Sequence, residues 1–277
     1  MTGAQTRTRG RPKSFHDTSQ QATIQSLDRA MEVLKIVSGG TGMSLTDIAD
    51  ESGYSPATVY RILTTLKKHQ ICDFDEQNQF WHIGVAAFRI GTSFLGRTRI
   101  VEQSRPVMER LMAETGETAN LAIIDHGEVI FISQIETHEP IRAFFRPGTR
   151  GPVHASGIGK AILAQRSNGQ VDAMLSERDL KSYTSKTITD TDDLRTELAR
   201  IRERGWAVDD EERTAGMRCI AAPIFNSSGE AIAGISVSGP SVRVTADRDE
   251  ALGQLVREAA DGVTLAIGGT TLQRQDS

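Results

Sequence analysis

Ser44 to His69, SLTDIADESGYSPATVYRILTTLKKH, is the stretch on which the fold turns. Two short helices joined by a tight turn are predicted. Ser44 is placed to cap the first, its hydroxyl accepting a backbone N–H that the first turn leaves unpaired. Leu45, Ile48 and Ala49 give that helix an apolar face. Gly53 stops it, because glycine tolerates the left-handed backbone of a helix end. Ser55 caps the second helix and Pro56 takes its first position, where the missing N–H costs nothing. Val59, Ile62, Leu63 and Leu66 form a stripe of helical period. Thr58, Tyr60, Arg61, Thr64, Thr65, Lys67 and Lys68 occupy the other side. An apolar back with a hydroxyl-rich, basic front suits a helix that enters the DNA major groove. The expected reading positions are Ser55, Pro56, Ala57, Thr58, Tyr60 and Arg61, with Lys67 towards phosphate. An ordinary helical hairpin with a solvated face would carry the same stripe, so the flanking sequence matters.

Ser26 to Val37 is expected to be an amphipathic helix capped by Ser26, with Leu27, Ala30, Met31, Leu34 and Val37 buried behind the pair. Beyond the pair, Ile71 to Asp75 and Gln79 to His82 read as two short strands around a polar turn. That hairpin makes residues 24–84 a winged helix-turn-helix, with Trp81 and Phe74 pinning the wing to the helices. Residues 1–23 precede it as a polar arm for which composition predicts disorder. The arm carries Arg7, Arg9, Arg11 and Lys13 with no acid before residue 17. Arg9-Gly10-Arg11-Pro12 is similar to the core of an AT-hook, whose arginines lie in a narrow A·T minor groove.

The chain has 277 residues, enough for two domains, with a net charge of −4. DNA affinity must therefore come from local patches rather than a uniformly positive surface. Cys72 and Cys219 suggest neither a disulfide framework nor metal spacing. No apolar run approaches the ~18 residues of a membrane span. The basic N-terminus has no apolar core after it, unlike a secretory signal. A cytoplasmic protein is the expectation.

Residues 85–116 read as linker helices that carry dimerisation, with Pro106 near the start of the second and Gly116 at its end. Val85, Phe88, Ile90, Phe94 and Leu95 are more apolar surface than a free linker keeps wet, so a second subunit is expected to cover them. From residue 117 to 270 the texture is strands with helices. A hairpin turn falls at Asp125-His126-Gly127, and a third strand is expected at Ile141 to Phe145. Helices are expected at Ile158 to Gln165 and Thr191 to Arg204. Later strands fall at Trp206 to Asp209, Cys219 to Phe225 and Ala231 to Ser238. A long closing helix runs through Leu252, Val256, Ala259, Val263 and Ile267. Helices packed to one side of antiparallel strands would give an α+β domain. Residues 271–277 form a tail.

His154-Ala155-Ser156-Gly157-Ile158-Gly159-Lys160 lacks the spacing of a phosphate loop, and Ala161 replaces the hydroxyl that would hold magnesium. Its Ser-Gly turn opens a helix whose first N–H groups suit a small carboxylate. Nothing supports His154, Ser156 and Asp209 as a hydrolytic triad, and the acids from Asp209 to Glu212 read as solvated rather than metal-binding. No cofactor is implied.

HASGIGKA, GWAVDDEERTAGMRC and ISVSGP, in that order after a winged helix-turn-helix, resemble the IclR family of bacterial transcriptional regulators over about residues 25–270. The resemblance implies a GAF-like effector domain, and dimers or dimers of dimers on a palindromic double-stranded operator. The sensor motifs are most similar to those of the family's glyoxylate-responsive repressor of the acetate operon. There a small 2-oxo acid lies between a glycine-turn backbone and polar side chains. The matching positions here are Gly157, Ile158, Asp209, Cys219, Ser236 and Ser238, with Met217 in the apolar patch. Two other patch positions are the smaller Ala143 and Gly151. Glyoxylate is the first effector implied and pyruvate the second. An enzyme or carrier for a small acid, with the helix pair as an interaction module, is the competing reading. Turnover without operator binding would favour it.

Overall fold

A computed structural model describes residues 23–96, 99–175 and 179–271. The chain divides between Phe94 and Leu95 into two compact units. Arg9, Arg11 and the rest of the basic arm lie outside the described residues, as do residues 272–277 and the side chains of Phe94 and Leu95.

In the first unit, α1 (Gln25–Gly39), α2 (Leu45–Ser52) and α3 (Pro56–Lys68) precede a two-stranded antiparallel wing, β1 (Cys72–Asp75) and β2 (Phe80–Ile83). Ser44 and Asp47 close a capping box on α2, each side chain meeting the other residue's backbone N–H. Gly53 ends α2 at φ 68, and Ser55 caps α3 through the Thr58 N–H. The core joins Val33, Val37, Ile48, Ala49, Val59, Leu63, Cys72 and Trp81. Phe74 packs on Trp81 at 4.7 Å between ring centres, so the wing is pinned as expected.

Two expectations for α1 fail. Ser26 does not cap it: the cap position is Ile24, which makes no side-chain cap bond. Leu27 and Met31 are exposed, at 57% and 47%, while Val33 and Val37 are buried. At about 100° per residue, Met31 lies some 200° around the helix from Val33, so both cannot face one core. A linker helix follows, α4 (Val85–Gly96), on which Val85, Phe88 and Ile90 are exposed.

The second unit opens with α5 (Ile100–Thr115), ended by Gly116 at φ 74. Pro106 lies inside α5 rather than near its start. Six antiparallel strands follow: β3 (Thr118–Asp125), β4 (Glu128–Ile135), β5 (Arg150–Pro152), β6 (Ala207–Asp210), β7 (Met217–Phe225) and β8 (Ala231–Pro240). Their order across the sheet is β5-β4-β3-β8-β7-β6. The helices are α6 (Gly157–Leu163), α7 (Asn168–Leu175), α8 (Thr191–Arg204) and α9 (Asp249–Ala266).

The architecture is α+β, but the helices cover both faces rather than one. Met108, Leu111, Leu252, Val256 and Val263 of α5 and α9 pack on Leu121, Ile220, Ile235 and Val237. Ile158 and Ile162 of α6 and Leu194, Leu198 and Ile201 of α8 pack on Ala122, Ala207 and Ala221. Small residues on this second face let α6 approach closely. The expected strand at Ile141 to Phe145 is irregular, and β5 takes the edge instead. Its carbonyls go to side chains, Ala143 accepting from Thr118 Oγ1 at 3.1 Å and Ile141 from Arg243 Nη2 at 2.9 Å. The helix α7 was not foreseen.

Candidate functional site

The exposed front of α3 presents Pro56, Ala57, Tyr60, Arg61, Thr64, Thr65, Lys67 and Lys68 to solvent, and no acid lies on the helix. Ser55 Oγ and Thr58 Oγ1 meet at 2.9 Å. Lys67 Nζ sits 5.4 Å from the centre of the Phe74 ring, which ties one cation to the wing. Arg61 has no carboxylate among the ion pairs of the described residues. Arg61 borders a groove of about 760 Å³ between α1 and α3, lined also by Ser26, Leu27, Arg29, Thr58, Tyr60, Thr64 and Thr65. Sequence reasoning missed Ser26 and Arg29 as neighbours of this face, because it placed the start of α1 in the core.

Strand register builds the second site. Asp209 of β6 pairs with Cys219 of β7, and Cys219 pairs with Ser238 of β8. Residues directly opposite in antiparallel strands share a face, so the three side chains form a row. The row borders a small cavity of about 30 Å³, closed by Phe131, Phe145, Ser156, Arg213, Thr214 and Met217. Phe131 and Phe145 stack at 4.4 Å and make its aromatic wall.

Four of the seven expected effector residues, Asp209, Met217, Cys219 and Ser238, line this cavity, and three do not. Ser236 is fully buried beside it; the Asn120 amide donates to Ser236 Oγ at 3.4 Å and to Ser238 Oγ at 3.1 Å. Ile158 turns its side chain into the core against Gly234. A Cβ at Gly157 would stand 3.1 Å from Cys219 Sγ and 3.2 Å from Ala221 Cβ, so this glycine lets α6 close on β7. Gly157 thus lies in the packing of α6 on β7, beside the cavity rather than in its lining. Ser156 enters the lining from the Ser-Gly turn singled out in the sequence, whereas Asn120, Arg213 and the two phenylalanines were not foreseen. A lone asparagine in an apolar strand was the one visible hint.

Burial raises the Asp209 carboxyl above its usual range, against the pull of the Glu212 N–H, Lys160 and Arg213. The Glu212 N–H donates to Asp209 Oδ1 at 2.8 Å. Burial pushes the Cys219 thiol up to about 11, reinforced by Asp209, so it stays protonated and is a poor nucleophile at neutral pH. Its residual surface faces the cavity.

The acidic run is not simply solvated, contrary to expectation. Glu212 is buried in an ion pair with Lys160, itself buried on α6. Burial lifts Glu212 to about 7, against the attraction of Lys160. Asp210 meets Arg218 at 2.7 Å, and Glu211 meets Lys186 at 2.7 Å. His154 Nε2 faces the Lys181 carbonyl at 3.1 Å and Ser156 Oγ accepts the Gly159 N–H at 3.3 Å, so neither is placed as base or nucleophile of the other. Among the described residues, no group of three or more potential ligands could hold a metal ion, and no helix is long and apolar enough to cross a membrane.

Comparison with known proteins agrees with both halves. A family model described as the IclR helix-turn-helix domain matches residues 26–75, and one for the C-terminal part of bacterial IclR regulators matches residues 92–265. The chain is 49% identical over 259 residues to the HTH-type transcriptional regulator BhcR of Paracoccus denitrificans, covering 92% of this chain and 93% of that one. It is 38% identical over 264 residues to the transcriptional repressor IclR of Escherichia coli, covering 94% and 96%. A crystal structure of an IclR homolog from Microbacterium hydrocarbonoxydans, complexed with 4-hydroxybenzoate, has a TM-score of 0.79 at 26% identity, covering 88% of this chain and 99% of that one. Matching models over both halves and these near full-length relatives place the chain in the IclR family of bacterial DNA-binding transcriptional regulators.

Proposed function

We propose that this regulator's hold on its operator is set by a small 2-oxo carboxylate, glyoxylate first and pyruvate second, bound in the cavity beside Asp209, Cys219 and Ser238. Cavity size carries the reading. A dry cavity that takes benzene measures about 150 Å³, and this one is about 30 Å³. The site must open to admit any organic acid, and a two- or three-carbon acid asks for far less expansion than an aromatic acid such as the 4-hydroxybenzoate of the Microbacterium relative. Ser238 offers a hydroxyl donor, Met217 and the phenylalanine pair an apolar wall, and Asp209 an acceptor for the hydrate of an aldehyde. Cys219 acts by packing.

The operator is read by α3, with Ser55, Pro56, Ala57, Thr58, Tyr60 and Arg61 in the major groove and Lys67 at phosphate. Arg9 and Arg11 add minor-groove contacts. Two copies, joined through the exposed apolar side chains of α4, match a two-fold operator, and two such dimers can share it. Footprinting of the adjoining intergenic DNA with and without glyoxylate tests the whole reading. Calorimetry tests the site: wild type should bind glyoxylate, Asp209→Ala and Ser238→Ala much more weakly, and Cys219→Ser nearly as well. A protein that ignores two- to four-carbon oxo acids but binds 4-hydroxybenzoate would refute it.

A further inference from the structure

We propose that Arg213 is the cation that takes the effector's carboxylate, and that the bare backbone at Gly151 is what lets its guanidinium lie there. This rests on the effector reading above and fixes the orientation of the ligand within it.

Arg213 borders the cavity together with Asp209 and Ser238. A Cβ on Gly151, in β5, would collide with Arg213 Nη1, and the three atoms nearest that position all belong to the same guanidinium. Gly151 is buried, and its φ is not positive, so its backbone does not call for glycine. What glycine supplies there is room. Arg213 Nη2 donates to the Arg150 carbonyl at 3.1 Å, which holds the group in place without neutralising it.

The charges near the cavity are otherwise spent. Glu212 pairs with Lys160, and Asp210 with Arg218 and Lys186. Arg150 turns its charge outward to Glu128 and Asp125. Among the described residues neither Arg213 nor Asp209 is in a close ion pair; Asp209 is held by the Glu212 N–H and feels Lys160 and Arg213 only at longer range. One unspent cation and one buried acceptor therefore face the same small space. The ligand that satisfies both carries a carboxylate at one end and hydroxyl donors at the other. A hydrated aldehyde acid, or a 2-hydroxy acid of the same size, has this form. Its carboxylate points to Arg213, away from Asp209, and its hydroxyls point to Asp209 and Ser238. No bond to the protein forms, since the hydrate arises in solution by addition of water to the aldehyde.

Calorimetry on the full chain with glyoxylate, glycolate and the uncharged glycolaldehyde tests this. Arg213→Gln should weaken glyoxylate and glycolate at least tenfold and leave glycolaldehyde unchanged. Gly151→Val should do the same by displacing the guanidinium. The atoms it moves are the end of a flexible side chain, so its melting temperature should stay near that of wild type. The double variant should be no worse than either single one. Wild-type affinity for glyoxylate in Arg213→Gln, with binding lost in Ser238→Ala, would overturn the role of Arg213 and leave the cavity standing. Equal weakening of glycolaldehyde would also overturn it, as a structural effect. Additive losses in the double variant would overturn the link to Gly151. A wild type that binds none of the three would overturn both this proposal and the effector reading.

Discussion

On α3, Tyr60, Arg61 and Lys68 stand in water on a helix without acids. Around the cavity, Lys160 and Glu212 are buried against each other, and Asp209 is held by a backbone N–H. Both regions are polar, yet their charges answer to different costs. An exposed cation keeps its hydration until DNA arrives and can meet a polyanion in many registers, so its contribution falls with salt. A buried charge loses its hydration on folding and persists only where a partner stands opposite it. The first arrangement tolerates motion and rewards length of contact. The second is rigid, and it selects a small ligand by the few groups left unspent.

The largest expected effect tests whether one α3 face suffices alone. Val85 and Phe88 are 62% and 71% exposed and lie three apart on α4. Replacing both with Glu should give monomers in sedimentation and lower operator affinity by about 10²–10⁴-fold, the usual gain from linking two sites. Dimers of unchanged stability, or undiminished binding, would break the comparison at its root.

A pH experiment probes the buried side. Folding lifts Glu212 from 4.5 to about 7, chiefly by burial and despite Lys160. A raised folded value means the folded state holds this proton more tightly. The resulting stability is present below pH 4.5 and lost as pH climbs towards 7. Between pH 4.5 and 8 the loss from this group is about 3 kcal/mol. Urea unfolding of Glu212→Gln should lack that slope, so the wild-type minus variant stability should fall by about that amount over the range. A constant difference would mean that the ion pair with Lys160 already cancels the cost of burial.

On the exposed side, Arg61→Ala should remove about 1–3 kcal/mol of discrimination between operator and random duplex, the worth of a bidentate guanine contact. A preserved ratio of affinities would move base reading elsewhere on α3. The smallest effect belongs to the exposed polar contacts that shape the unit. Ser44→Ala loses the α2 cap and should cost about 1 kcal/mol of stability, seen as a lower melting temperature with operator sequence preference intact. A loss above 2 kcal/mol would show that the Ser44–Asp47 box does more than close a helix end.

Legibility in the sequence followed the range of the forces. Ser44, Gly53, Ser55 and Pro56 act on their own neighbours within a turn, and the helix pair appears where they put it. Hairpin signals at His126-Gly127 and the wing were equally local. The α1 error shows the limit: Leu27, Met31, Val33 and Val37 are all apolar, and periodicity alone does not say which stripe α2 and α3 will cover. The strand expected at Ile141 to Phe145 failed for a related reason, since Thr118 and Arg243, distant in sequence, claim its carbonyls. Of the candidate site, the motif residues Asp209, Cys219 and Ser238 were legible through family resemblance, while their convergence on one cavity needed the register of three strands.

By itself, then, the sequence determined the helix boundaries around α3, the cation-only front of that helix, most strands of the second unit and the family. Caps, turns and period are properties of neighbouring residues, and they survive in a one-dimensional reading. Only the tertiary structure decided that Ser236 sits behind Asn120 rather than at the cavity, that Gly157 makes room for β7, and that Lys160 is spent on Glu212. It also decided that Arg213 lies over Gly151, 62 residues away along the chain. Burial and pairing depend on which distant groups arrive opposite, and a buried charge takes its meaning from that partner rather than from its place in the sequence.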